Sequence, residues 1–392
     1  MDRRTFLTSS AALCAASVDT ASAARKTAAE TTQIPMRVEN NQILAYFGFP
    51  AAGGKNRKLL TQIDTGGGVL LVARKAVEEL GLKIERRQAP HGFAFVALDR
   101  IFVGSKEVHI PTAGTTEHET LVFHPGAAAP AFFAASVLRD RAVTFDYPGG
   151  TFALDGPSLG GVQLRVGIAN RTAFPRVELN VDGETMGFLL DTGASFTMLS
   201  QSVIRKLRTK NPSWSYAHGA YGPANMLGRL ERNADMLRIP RVRWGSIALD
   251  YLDVVSRPHG TFETYMSSMM SAPVVGALGG NALRNFALRL DYPNASLEAR
   301  FEARPWPSEL AIVPLILEPR VDGSFTIAGG SDARDLVGGR LFTVDGRKVD
   351  DLSLYAVQQL LRGAPGTFRT LKIDTTGLAP REVRLRTARV LS

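Results

Sequence analysis

Apolar positions fall mostly in short β-branched and aromatic runs, broken every few residues by Gly, Pro, Asn or Asp. That spacing predicts strands and tight turns rather than long helices. Val177-Glu178-Leu179-Asn180-Val181, then Asp182-Gly183, then Met186 to Leu190 reads as a hairpin, because Asp-Gly suits the turn that matches strand twist. Two apolar runs end in the same way. Lys58 to Ile63 leads into Asp64-Thr65-Gly66, and Gly187 to Leu190 leads into Asp191-Thr192-Gly193. A strand that delivers one carboxylate into a Gly-containing turn must pair or hydrogen-bond it to offset the cost of burial. Asp-Thr-Gly also suits an ordinary turn, and a single copy would point no further.

The surroundings of the two copies repeat. With Asp64 set on Asp191, Val72 to Leu80 aligns with Leu199 to Leu207, each a strand end followed by a short helix, the first stopped by Gly81. At the same offset of 127, His91-Gly92 falls on His218-Gly219. Leu138 to Pro148 matches Leu283 to Pro293 at an offset of 145, both ending Asp-Tyr-Pro, so the second copy carries 18 extra residues. Four landmarks in one order across residues 35 to 305 indicate a duplication. Ala153 to Gly161 reads as the link between copies, and Arg304 to Glu309, with two prolines in three residues, as a second linker. Residues 311 to 392 then form a separate unit: strand, turn and short strand over Leu341 to Val349, and an amphipathic helix over Leu354 to Arg362 closed by Gly363. Strands over Thr367 to Asp374 and Arg381 to Val390 complete it.

Composition narrows the class. The 392 residues are 45% apolar with 37 glycines, as in a globular chain with room for several cores. The net charge of +9 is dispersed, without the run or stripe that nucleic acid requires. Asp2-Arg3-Arg4-Thr5-Phe6-Leu7, a short apolar stretch and Ala21-Ser22-Ala23 read as a twin-arginine export signal over residues 1–23. The expected product is periplasmic or secreted, without stable membrane insertion, and monomeric. Cys14 is the chain's one cysteine and falls in that leader, so neither disulfides nor a thiol nucleophile are expected. His109, His118, His124 and His259 show no metal-ligand spacing, and no cofactor is expected. Gly276 to Gly280 lacks the unit of a dinucleotide loop, and Ser195 lacks the frame of a serine nucleophile.

Two strand-end aspartates facing one another would share a proton, one pKa rising and the other falling. The ionised carboxylate then polarises water while the protonated one donates to a carbonyl oxygen. Thr65 and Thr192 would hold the opposing loops through hydroxyl-to-backbone bonds, and Gly66 and Gly193 would let backbone pass close to the carboxylates.

On these residues the chain resembles the aspartic proteases of the pepsin and retroviral-protease superfamily. Asp191-Thr192-Gly193-Ala194-Ser195 is similar to the family's active-site loop, and Ala277-Leu278-Gly279 to the segment behind it. The resemblance implies a mainly β, bilobal fold with lobes at 24–155 and 156–305, catalytic Asp64 and Asp191, and a substrate-closing flap at His91-Gly92 and His218-Gly219. Residues 311–392 resemble a PDZ domain, a small α+β fold that binds extended peptides. The combination resembles exported bacterial aspartyl proteases with a C-terminal PDZ domain, and implies cleavage of extended or unfolded polypeptides, the PDZ-like module recruiting or regulating. The alternative is an inactive homologue that binds peptides. Gly67-Gly68 and Ala134, where the second copy has Gly279, depart from the family pattern. Ala134 would be strained if its position needs a positive φ. Gly338-Gly339-Arg340 lacks the Gly-Asp pair often seen before the PDZ strand.

Overall fold

A computed structural model describes residues 31–85, 92–116, 129–302, 309–320, 322–331, 333–374 and 379–391. The export signal, His91, His118, His124 and most of the second linker lie outside the described residues. The molecule is mainly β, with barrel-like curled sheets.

In the N-terminal part, Thr32–Glu39, Gln42–Pro50 and Asn56–Asp64 form an antiparallel meander. Asn56–Asp64 also pairs in parallel with Ala131–Ala134, which runs antiparallel to Leu70–Val72. The central part pairs in the same pattern. Glu184–Leu190 is antiparallel to Pro175–Val181 and parallel to Gly276–Leu278, and the latter is antiparallel to Thr197–Ser200. Each Asp-Thr-Gly therefore lies at the end of a strand wedged between an antiparallel and a parallel neighbour. Strand Leu70–Val72 feeds helix Arg74–Leu80, which buries Ala76, Val77 and Leu80 and stops at left-handed Gly81. Strand Thr197–Ser200 feeds helix Gln201–Lys210. The hairpin turn at Asp182 and Gly183 has φ of 54° and 88°.

Strand Ala142–Asp146 pairs antiparallel with Phe286–Asp291 and joins the two parts in one 14-stranded sheet. Thr144 sits opposite Arg289, its counterpart in the sequence repeat, so the local symmetry axis passes between them. One apolar core runs through both parts. Phe47 meets Phe133 edge-on at 4.8 Å and 89°, and Phe152 stacks beside them. Each such aromatic pair adds about 0.5–1.5 kcal/mol beyond its buried area.

The C-terminal part has its own core around Leu317, Ile327, Leu341, Val357 and Ile373. Its sheet begins at the edge with Leu315–Pro319 and continues through Phe325–Gly330, Arg340–Val344, Phe368–Asp374 and Arg381–Arg386. Three local expectations fail here and at the link. The helix covers Leu354–Leu361, Arg362 is extended, and Gly363 donates its N–H to Ala311 instead of closing the helix. Arg381 to Val390 is not one strand, because Thr387 turns inward to bond Ala364 and sends Ala388–Arg389 to pair with Ala311–Ile312. The link after the first copy starts later than Ala153, since Thr151–Leu154 is still strand.

Between strands Tyr216–His218 and Asp235–Trp244 the chain forms a strap of two 3-10 turns, Gly222–Ala224 and Gly228–Asn233. The Glu231 carboxylate organises it, accepting the N–H groups of Met226 and Leu227 and pairing with buried Arg257 at 3.1 Å.

Candidate active site

The two strand ends bring Asp64 and Asp191 together, each carboxyl group lying against the first glycine of the opposing loop, Asp64 at Gly193 and Asp191 at Gly66. Asp191 is buried, and its Oδ1 accepts the N–H groups of Gly193 and Ala194 at 3.0 Å each. Asp64 is half-buried, and its Oδ1 accepts the Gly66 N–H at 2.8 Å.

The threonines cross between loops. Thr65 Oγ1 donates to the Leu190 carbonyl at 2.5 Å and accepts the Thr192 N–H at 3.0 Å. Thr192 Oγ1 donates to the Ile63 carbonyl at 2.8 Å and accepts the Thr65 N–H at 3.1 Å. All four bonds are buried, so breaking any one strands a polar group at a cost of about 1–3 kcal/mol. The glycines clear the space between carboxylates. A Cβ on Gly66 would lie 2.8 Å from Asp191 Cγ, and one on Gly193 would overlap the Asp64 carboxylate.

Both aspartates are shifted upward, not in opposite directions. Burial, followed by the negative charge of Asp64, holds Asp191 well above the ordinary carboxylate range. Burial also raises Asp64, against the lowering by the Gly66 N–H, Asp191 and the Gly67 N–H. Desolvation outweighs the mutual effect, so the pair holds on to a proton above the ordinary carboxylate range.

The strain expected at Ala134 is absent. Ala134 has φ −93° and Gly279 φ −99°, both extended. What Gly279 needs is space, because a Cβ there would sit 2.6 Å from the Phe196 backbone.

Of the flap candidates, Gly92, His218 and Gly219 lie within the described residues. Gly92 begins strand Phe93–Val96 with a φ of 82°. His218 exposes its ring and meets Asp235 at 3.2 Å, while Gly219 packs against Tyr221 and Ile316 of the C-terminal part. That contact turns the central part's segment toward a neighbouring unit.

Four residues of this neighbourhood were not singled out from the sequence. Gln42 and Gln62, both buried, donate to the Gly193 carbonyl at 2.5 and 3.2 Å. Tyr147 and Tyr292 are buried beneath the site with hydroxyls that have no partner among the described residues. Burial and then Asp191 raise Tyr147, and burial and then Asp64 raise Tyr292, so each tyrosine lies near the other part's aspartate. Asp-Tyr-Pro was visible as a repeat, but only the sheet register carries its tyrosines to the site.

Comparison with known proteins agrees at one level. Residues 177–281, which include Asp191 but not Asp64, match the family described as aspartyl protease. This similarity supports a protease hydrolase. A solved structure titled photosystem II D1 C-terminal processing protease matches at 23% identity over 20% of this chain and 23% of that one. Its TM-score of 0.19 is too small to bear on fold or chemistry. No curated protein matches.

Proposed function

We propose that the chain is an aspartic endopeptidase acting on extended or unfolded polypeptides, with Asp64 and Asp191 as its catalytic pair. The observation that carries this reading is the meeting of two desolvated carboxyl groups inside a cross-braced, glycine-cleared pair of loops. Asp64, the less elevated member, takes a proton from a water as its oxygen attacks the scissile carbonyl carbon. Asp191 gives its proton to the carbonyl oxygen, leaving a gem-diol. Collapse of the diol breaks the C–N bond: Asp64 gives its proton to the leaving nitrogen while Asp191 takes one from a diol hydroxyl, which restores the pair.

The wider assignment belongs to the same proposal. It comprises two duplicated lobes, export by the twin-arginine leader to the periplasm or exterior, and a C-terminal PDZ-like unit that recruits or regulates. The matching strand pairings around each aspartate support the duplication. Gly92 remains a substrate-contact candidate, with His91 beside it in sequence.

The protein without its leader should cut reduced casein across about pH 3 to 7, and Asp64→Asn or Asp191→Asn should each lower the rate by about 10²–10⁴-fold. Retained casein binding with no cleavage by the unmodified protein would assign a peptide-binding role instead.

A further inference from the structure

The strap between Gly219 and Ala234 lies where three elements meet. Gln358 of helix Leu354–Leu361 donates to the Gly222 carbonyl at 2.7 Å. Asn225 of the strap donates to the Leu317 carbonyl of edge strand Leu315–Pro319 at 3.0 Å. Arg229 pairs with Glu318 of the same strand at 3.1 Å. Tyr221, Ala224 and Met226 share one apolar cluster with Ile316 and Ala328. The strap thus fills the space between the helix and the open edge of that sheet.

Two features mark this space as one a polypeptide can occupy. The strand is the last of its sheet, and its Leu317 carbonyl accepts a side-chain amide, that of Asn225. Gln358 and Asn225 are 3% and 1% exposed, and each keeps a side-chain oxygen without a partner among the described residues. A main chain laid along the edge brings N–H donors for such acceptors.

The strap also reaches the aspartates. Ser195, four residues after Asp191, donates its hydroxyl to the Pro223 carbonyl at 2.8 Å. Phe196 packs in the same cluster as Ile316. The Gly222-Pro223 step is therefore held from one side by Gln358 and holds the Asp191 loop on the other.

We infer that the groove between strand Leu315–Pro319 and helix Leu354–Leu361 receives an extended polypeptide, that the strap is its resident occupant, and that filling the groove frees the strap and unbraces the Asp191 loop. The effect on cleavage rests on the proposed activity. The competition for the groove does not.

A reversible lock tests this. A Cβ built on Gly228 lies 3.4 Å from Glu318 Cβ, at the short limit of about 3.5 Å for a disulfide. The full chain carrying Asp64→Asn, Cys14→Ser, Gly228→Cys and Glu318→Cys is titrated with fluorescein-labelled reduced casein before and after reduction. Reduction should tighten binding at least about tenfold, provided the bridge cuts the fraction of molecules with an open strap by that factor. Casein should then speed hydrogen exchange at 219–234 and at 191–196 in the reduced form alone, with strands Arg340–Val344 and Phe368–Asp374 unchanged. Gln358→Ala, without the cysteines, should show the same faster exchange before casein is added. Equal affinity in both forms, absent binding, or strap exchange indifferent to casein overturns the inference. Failure of the cysteines to bridge overturns it too. If casein opens the strap while the active chain never cuts it, the inference stands and the protease reading falls.

Discussion

Asp64 and Asp191 face one another with unequal claims on a proton. The folded chain binds the Asp191 proton more tightly than the unfolded chain does, because burial and the facing charge penalise its ionised form. Its contribution to stability is therefore fully present below the ordinary aspartate value of 3.8 and is lost as pH rises through the folded value. Asp191→Asn should flatten the fall in melting temperature between mildly acid and neutral pH, and raise it at pH 7 by about 1 °C for each kcal/mol of relieved repulsion. An unchanged pH slope in calorimetry would remove Asp191 as the proton-holding member. The aspartates, threonines and glycines were all legible in the sequence, since a strand-end Asp-Thr-Gly carries its own chemical reason. Gln42 and Gln62 were not. Both sit in strands where a buried amide looks like a pattern error until the Gly193 carbonyl is found opposite.

The strap shows what an element hides from the sequence. Its fold depends on one buried ion pair, Glu231 with Arg257, with side chains 1% and 6% exposed. Burial raises Glu231, and Arg257 with the Met226 and Leu227 N–H groups pulls it back. Glu231→Gln leaves the guanidinium buried against a neutral amide and should cost about 3–5 kcal/mol, seen as a lower urea midpoint. Replacing both residues by Met should recover most of that loss. A loss under about 1 kcal/mol for Glu231→Gln would show that water reaches Arg257. Hairpin and helix positions were readable because period and turn chemistry are local. The break at Thr387 was not, because its cause is the Ala364 carbonyl, 23 residues away in the chain.

The whole molecule is tied at one polar junction. Asn41, from the first hairpin, donates to Glu309 at 3.0 Å and accepts from Arg284 at 3.1 Å. Arg284 and Arg362 both reach Glu309, at 2.7 and 3.4 Å. One carboxylate therefore binds the N-terminal, central and C-terminal parts. Glu309→Gln should loosen the last from the others, read as faster proteinase K release of a fragment beginning near residue 309 while far-UV circular dichroism stays constant. Unaltered digestion would assign the docking to the strap contacts, polar and apolar, instead. From the landmarks and the prolines, three successive stretches of chain were expected. Their mutual arrangement was not, since it rests on side chains from positions with no sequence signal in common.

The shared central sheet also sets an order in time. Strand Ala142–Asp146 pairs on one edge with nearby Thr151–Leu154, but its other edge is covered by Phe286–Asp291. A growing chain must make well over a hundred further residues before that edge is covered. Until then the nascent N-terminal part presents an unpaired strand edge, the kind of surface on which chains aggregate. Assembly is thus a late event, completed when the central part's last hairpin arrives, and the two aspartates come together only then.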